Sequence, residues 1–221
     1  MKTMWRKYTV DLDIIGNGSY CKVYKAYNPE GKKLAIKVMP DIEVAEREAK
    51  IMNRYESSPY LPRYYDFFIL NKKAHLVTEY VKGKSMGGTF QNTVLPKMDE
   101  PVSIAITINV LKGIEKLHKI GYIHDDVKPK NIMLYKNDPE QLKVIDFNIA
   151  KKITGNKEMH KELQDVCKLC ALLLNGSLED IRSTEFENER LGAVLLNPFS
   201  PDEEERYTSA RQLIHQLESF L

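Results

Sequence analysis

Apolar residues recur along this chain at two periods, and the changes of period mark its elements. From Ile15 to Ala26 (IGNGSYCKVYKA) two glycines separate runs with alternating apolar positions, which predicts two strands joined by a glycine-rich turn. The next strand, LAIKVM, is apolar except for Lys37. Pro40 and Asp41 then open a helix, by fixing its first turn and capping it, and the inward stripe of that helix runs Val44, Ile51, Met52 and Tyr55. Helical spacing returns from about Val102 to Lys119, through Ile104, Ile108, Leu111 and His118, and again at Leu163, Val166, Cys167, Cys170 and Leu174. A last helix is expected to bury Ala210, Leu213, Ile214, Leu217 and Leu221. Between the helical stretches, Tyr122-Ile123, Ile132-Met133-Leu134 and Leu142 to Ile145 form short apolar runs typical of buried strands. No repeat and no low-complexity segment interrupts this pattern.

The polar residues that break the pattern carry the chemistry. Glu48 falls on the inward stripe of the helix after Pro40, and a carboxylate on a core face is costly unless paired. Lys37, in its apolar strand, needs either solvent or an anionic partner, so the two are expected to meet. As a bland alternative the pair is a structural salt bridge and nothing more. His124 to Asn131 (HDDVKPKN) lies between two apolar runs, which makes it a loop, and Pro129 keeps Lys128 out of helix. Asp126, Lys128 and Asn131 in that loop are the candidate reaction centre, and the two acids Asp126 and Asp146, the latter closing the run Leu142 to Ile145, could with the Asn131 amide grip a divalent cation through oxygen ligands. The glycine hairpin could lay backbone N–H groups over phosphate oxygens, or be an ordinary tight turn. It is neither a dinucleotide fingerprint, which needs a helix directly after the glycines, nor a P-loop, which needs Gly-Lys-Ser or Gly-Lys-Thr.

Taken together, the glycine-rich loop, AIK, the helix glutamate, the hinge-like Leu76 to Gly83 (LVTEYVKG), the HRDLKPEN-like loop and DFG-like Asp146-Phe147-Asn148 resemble a eukaryotic-type protein kinase domain, in that family's order. The resemblance covers roughly residues 8 to 174, and NPFSPDEEERYTSARQLIHQL resembles the last helical subdomain. It implies an α+β, bilobal kinase-like fold: a small antiparallel-sheet lobe with one main helix, about residues 1–81, and a larger, mostly helical lobe, about residues 82–221. It also implies ATP and Mg2+ as cofactors and a protein hydroxyl as acceptor. Asp126 would accept the hydroxyl proton and Lys128 would lie beside the transferring phosphate. Asn131 and Asp146 would hold magnesium. Lys37, steadied by Glu48, would contact the inner phosphates beneath the loop formed by Gly16, Asn17, Gly18, Ser19, Tyr20 and Cys21. Adenine would lie between Val23, Ala35 and Met133 and bond the backbone near Glu79 and Val81, with Thr78 at the rear of the pocket.

Departures from the family pattern are as informative. Cys21 replaces the third loop glycine, and Asn148 replaces the last glycine of DFG, where its tolerance of left-handed backbone should preserve the turn. Asp125 replaces the arginine that receives an activation-loop phosphate in many kinases. Only residues 147–164 separate Asp146 from Asp165, which is matched to the aspartate at the start of the family's central helix. That stretch lacks an APE-like sequence, and Thr154 is its sole hydroxyl. Arg206, whose family partner is the missing APE glutamate, is expected to turn to an acid of the Asp202 to Glu205 run or to water. These changes imply a kinase that does not wait for activation-loop phosphorylation.

Composition agrees. The 221 residues are 43% hydrophobic, enough for a sizeable core, and a net charge of +2 makes neither nucleic acid nor membrane an expected partner. Lys151, Lys152, Lys157 and Lys161 give the shortened segment a basic character, either as a solvated face or as an attractor of acidic substrate. There is no stretch of about eighteen apolar residues and no signal-peptide core, so a cytoplasmic location is expected. Three cysteines are too few for a disulfide framework, and Cys167-x-x-Cys170 lies on an apolar stripe, which favours a core role over metal binding. A serine/threonine protein kinase is the favoured reading. A small-molecule kinase of the aminoglycoside or choline kinase kind, and a pseudokinase serving as a nucleotide-binding module, remain as alternatives.

Overall fold

The structure is a computed structural model in which residues 1–18 and 21–221 are described. The chain divides into two units, Met1–Ser58 with Pro62–Val81 and Pro59–Leu61 with Lys82–Leu221.

The first unit is an antiparallel sheet with one helix. In chain order it contains β1 (Lys2–Trp5), β2 (Tyr8–Asn17), β3 (Lys22–Tyr27), β4 (Lys33–Met39), α1 (Ile42–Tyr55), β5 (Tyr64–Leu70) and β6 (Lys73–Glu79), and the strands lie in the order β1-β2-β3-β4-β6-β5. Side chains of β4 alternate between two covered faces. Leu34 and Ile36 join Tyr8, Val10, Ala26, Phe68 and Val77 in one apolar core, while Met39 packs with Ala74 and with Ala45 of α1 on the other side. A strand covered on both faces is apolar throughout, which is why Lys37 stands out in it. Asp41 caps α1 by accepting a hydrogen bond from the Val44 N–H at 3.0 Å. Pro40 lies just outside the helix rather than in its first turn, and Val44 is only half-buried; Ala45, Glu48, Ala49, Ile51, Met52 and Tyr55 form the covered face.

The second unit is mostly helical. It contains β7 (Lys84–Ser85), α2 (Glu100–Lys119), β8 (Tyr122–Ile123), β9 (Ile132–Leu134), β10 (Leu142–Val144), β11 (Lys151–Lys152), α3 (Asn156–Asn175), α4 (Glu189–Leu196) and α5 (Ala210–Glu218). Two small sheets, β10-β9-β7 and β11-β8, lie among the helices. Both long helices are largely buried: α2 covers Ile104, Ile106, Ile108, Val110, Leu111, Ile114 and Leu117, and α3 covers Leu163, Val166, Leu169 and Leu173 together with both of its cysteines. The start of α2 and the end of α5 depart from the expected positions. Helix α2 starts at Glu100, because Pro101 suits a first turn and extends the helix beyond the apolar stripe. Helix α5 stops at Glu218, which leaves Leu221 outside it and 66% exposed. Among the described residues no helix is long and apolar enough to cross a membrane.

Candidate active site

In the first unit the strand register fixes which side chains share a face. Val23 pairs with Lys37, and Ala35 with Thr78, so these four project from one side of the sheet. Glu48 reaches the same side from the second turn of α1, and Lys37 Nζ donates to both of its carboxylate oxygens, at 2.9 and 2.8 Å. Both side chains are nearly covered, at 11% and 3% exposure, so neither charge is tolerable without the other. Gly16 pairs with Val23, and an added Cβ there would lie 3.3 Å from the Val23 Cβ. The Gly18 N–H donates to the Cys21 carbonyl at 3.0 Å, closing the hairpin after Asn17; Ser19 and Tyr20 lie outside the described residues. Glu79 ends β6, its N–H donating to the Arg63 carbonyl at 2.8 Å, and Val81 ends the unit. Met133 belongs to the second unit, at the centre of β9 and half-buried.

In the second unit the loop from His124 to Asn131 runs from β8 to β9. Lys128 is extended, and Pro129 to Asn131 form a single tight turn. Lys128 Nζ donates to Asp126 Oδ1 at 2.7 Å, and Asn131 Nδ2 donates to Asp126 Oδ2 at 2.8 Å and to the Asp126 carbonyl at 2.9 Å. The structure therefore brings the three proposed residues into contact. His124 anchors the loop from behind. Its Nε2 donates to the Ile145 carbonyl at 3.0 Å, its Nδ1 accepts from the Asp126 N–H at 3.3 Å, and its ring lies 5.2 Å from that of the fully buried Phe147. The Ile145 N–H in turn donates to the Asn131 carbonyl at 2.8 Å, which ties the residue before Asp146 to the loop. Asp146 adopts left-handed backbone, φ 72, as does Asp125, φ 60. Asn148 does not, so the expectation that it must tolerate such a backbone is corrected: the turn places that demand on Asp146.

A helix carboxylate unmarked by the sequence motifs supports this loop. Glu162, buried in α3, accepts from the His124 N–H at 2.6 Å, the Asp125 N–H at 2.9 Å and His118 Nε2 at 2.5 Å. The match of Asp165 to the start of the central helix is thereby corrected. Helix α3 begins at Asn156, Asp165 lies well inside it, and burial raises the Asp165 carboxyl above its ordinary value despite Lys168 at 3.0 Å. Only the residues from Phe147 to Gly155 connect Asp146 to α3. Thr154 Oγ1, in that connection, donates to the Glu158 carboxylate. Arg206 finds its partners locally, Nη1 reaching Glu203 at 3.0 Å and Nε donating to the Ser200 carbonyl at 2.8 Å. Burial pushes the Cys170 thiol up to about 12 and the Cys167 thiol well above its ordinary range, so both remain protonated core groups.

The donor chemistry suits a hard divalent cation. Asn131 donates to Asp126 through its amide nitrogen, so its Oδ1 is the atom with which it could ligate, and Asp146 supplies a carboxylate. Magnesium is commonly bound through one or two such protein oxygens plus water and phosphate. Among the described residues no cluster of three or more His, Cys, Asp or Glu forms an all-protein metal cage.

An antiparallel sheet unit bearing a buried Lys-Glu pair and a helical unit bearing a hydrogen-bonded Asp-Lys-Asn loop define a protein of the kinase fold class. Over the full chain the fold resembles the crystal structure of the Mycobacterium tuberculosis PknI kinase domain, with a TM-score of 0.74 and 20% identity, covering 99% of this chain and 98% of that one. The chain belongs to the protein kinase domain family, whose sequence profile it matches over residues 9–168. It is 34% identical over 155 residues to the MAP kinase kinase kinase SSK2 of Saccharomyces cerevisiae, covering 70% of this chain and 9% of that protein. It is 33% identical over 144 residues to the serine/threonine-protein kinase cst-1 of Caenorhabditis briggsae (63% and 28%), and 31% identical over 164 residues to human myosin light chain kinase family member 4 (69% and 40%). The chain thus spans less than half the length of each of these curated relatives.

Proposed function

We propose that this kinase-family chain uses ATP and Mg2+ to phosphorylate a serine or threonine hydroxyl of a protein substrate, without prior phosphorylation of its own segment after Asp146. The observation that carries the reading is the Asp126 carboxylate, held by Lys128 at 2.7 Å on one oxygen and by Asn131 at 2.8 Å on the other. A carboxylate so oriented, and 23% exposed, can accept a hydroxyl proton as the hydroxyl attacks. Lys128, on the same oxygen, supplies positive charge beside the group in transit. In the first unit Glu48 holds the Lys37 ammonium at a fixed position, from which it steadies the inner phosphates. The glycine hairpin, with the apolar Val23 and Ala35, would cover the nucleotide, as would Met133 in the second unit, and Thr78, Glu79 and Val81 would line the adenine end. Asn131 Oδ1 and the Asp146 carboxylate would hold magnesium, which when bound neutralises phosphate charge. Phosphoryl transfer asks a protein mainly for positioning and charge neutralisation, and these groups supply both.

Independence from phosphorylation is supported by three features. The connection from Asp146 to α3 is short, its one hydroxyl is bonded to Glu158, and Asp125 stands where an arginine would receive phosphate. A cytoplasmic site of action belongs to the same proposal, since ATP is abundant there and the buried thiols of α3 suit a reducing compartment.

Incubation with labelled ATP, Mg2+ and a mixed protein acceptor tests the reading. Wild type and Thr154→Ala should transfer label to protein at equal rates, while Asp126→Ala should lose transfer and retain nucleotide binding. Label found only on a small acceptor would transfer the assignment to a small-molecule kinase. A large loss in Thr154→Ala would overturn the independence from phosphorylation.

A further inference from the structure

Asp125 lies next to the proposed proton acceptor in left-handed backbone, φ 60, a conformation that most residues with a Cβ avoid and that Asp and Asn tolerate. Its carboxylate is divided between two other elements. Oδ2 lies 2.7 Å from Lys151 Nζ in β11, and Oδ1 lies 3.0 Å from Lys161 Nζ in α3. The Asp125 N–H donates to Glu162 of the same helix. The catalytic loop, the strand that follows Asp146 and the helix after it therefore meet at one carboxylate, which is only 15% exposed. Backbone pairing brings the same pieces together: Lys151 and Lys152 pair with Ile123 and Tyr122, and the Ile153 N–H donates to the Gly121 carbonyl at 3.0 Å. Burial alone would raise the Asp125 carboxyl, but hydrogen bonds from Lys151 and Lys161 outweigh it and hold the carboxyl below its ordinary value.

Two ammonium groups converging on one anion are what an added phosphate uses to order a loop. Here the anion is part of the chain. We propose that Asp125 is a positioning residue whose carboxylate, bridging Lys151 and Lys161, orders the segment from Phe147 to Gly155 and so fixes Asp146 and Asp126 without a covalent phosphate. This deepens the proposed function and rests on its claim that no phosphate switch operates. The opposing view is that the lysines, half-exposed at 50% and 58%, form ordinary surface pairs that contribute nothing measurable.

Two variants separate these views in the full chain. Asp125→Asn keeps the side-chain shape, tolerates left-handed backbone and loses the charge; Asp125→Gly removes the side chain at a φ that glycine adopts without strain. Hydrogen exchange of the amides from Phe147 to Ile153 should accelerate roughly tenfold in both variants, with the buried amides of α2 unchanged. The turnover number should fall by about the same factor, with KM for ATP held within about twofold, the pattern of lost positioning rather than lost binding. Added acetate should restore both exchange protection and turnover to Asp125→Gly, by occupying the vacated place between the lysines, and should leave Asp125→Asn unimproved. The double variant Lys151→Gln, Lys161→Gln should reproduce the same exchange pattern from the opposite side. Wild-type exchange in Asp125→Asn and in the lysine double variant would overturn the proposal. Exchange is read without turnover, so a wild type that transfers no phosphate would remove the kinase reading and leave this test intact. An active wild type with unchanged exchange in the variants would remove this inference alone.

Discussion

Two buried carboxylates, Glu48 and Glu162, each sit on the covered face of a helix and reach to a separate strand or loop, yet only one was legible in the sequence. Glu48 was found because it interrupts an apolar stripe and Lys37 interrupts an apolar strand, two costly groups with one economical solution. Glu162 gave the first of those signals, lying four residues before Val166 on the buried stripe of α3. The second was obscured, because two of its partners are backbone N–H groups, which leave no trace in residue identity, and the third, His118 on the stripe of α2, has no motif tying it to α3. Replacing it by alanine strands the N–H groups of His124 and Asp125 and His118 Nε2, so Glu162→Ala should destabilise the chain by about 3 kcal/mol. Urea unfolding measures that loss, and a value near zero would mean that water replaces the carboxylate. Asp125 yields a prediction in pH. Its carboxyl is lower in the folded chain than its ordinary value of 3.8, so the ionised form favours folding. The contribution is full above that ordinary value and is lost as pH falls through the lowered folded one. The stability difference between wild type and Asp125→Asn should therefore be constant from neutral pH down to about pH 5 and vanish only in stronger acid, when both are followed by denaturant titration. A difference that changes between neutral pH and pH 5 would assign the effect to another group.

Elements were legible in proportion to their length and apolar period. Helices α1, α2, α3 and α5 were each visible as stripes, whereas their ends were set by groups outside the stripe: Pro101 at the start of α2, Ser209 capping α5 through the Gln212 N–H at 3.3 Å, and the connection into α3. The start of α3 at Asn156 was hidden because its first turns, NKEMHK, are polar and on the surface side, with only His160 covered. Its end is fixed by Gly176, which adopts φ 78, donates its N–H to the Leu172 carbonyl at 2.8 Å, and would place a Cβ 2.6 Å from the Leu95 carbonyl oxygen. Both the left-handed backbone and the close approach exclude a side chain. Gly176→Ala should thus cost roughly 2 kcal/mol of stability and lower Tm by several degrees, a change readable by calorimetry. Unaltered Tm would show that residues 95–97 move aside without penalty.

At the scale of the whole molecule, the order of the motifs along the chain fixed the family, since each piece alone admits a bland explanation while the series does not. The way each unit holds its chemical groups came from the structure: an ammonium clamped by Glu48 in one unit, a carboxylate clamped by Lys128 and Asn131 in the other. If both sets serve one nucleotide, their losses cannot be independent. Under the proposed function Lys37→Met would remove the steadying charge on the inner phosphates and Asp146→Asn would weaken the hold on magnesium, so each single change should reduce phosphate transfer by about a thousandfold. Groups that act together on one bound molecule are non-additive, and once one is lost the other has little left to position. The double variant should then transfer phosphate within about tenfold of either single variant, far above the roughly millionfold loss that independent action demands. Single-turnover measurement with labelled ATP at saturating nucleotide resolves the two cases. A double variant reduced to the product of the single losses would show that the Lys37 ammonium and the Asp146 carboxylate contribute separately.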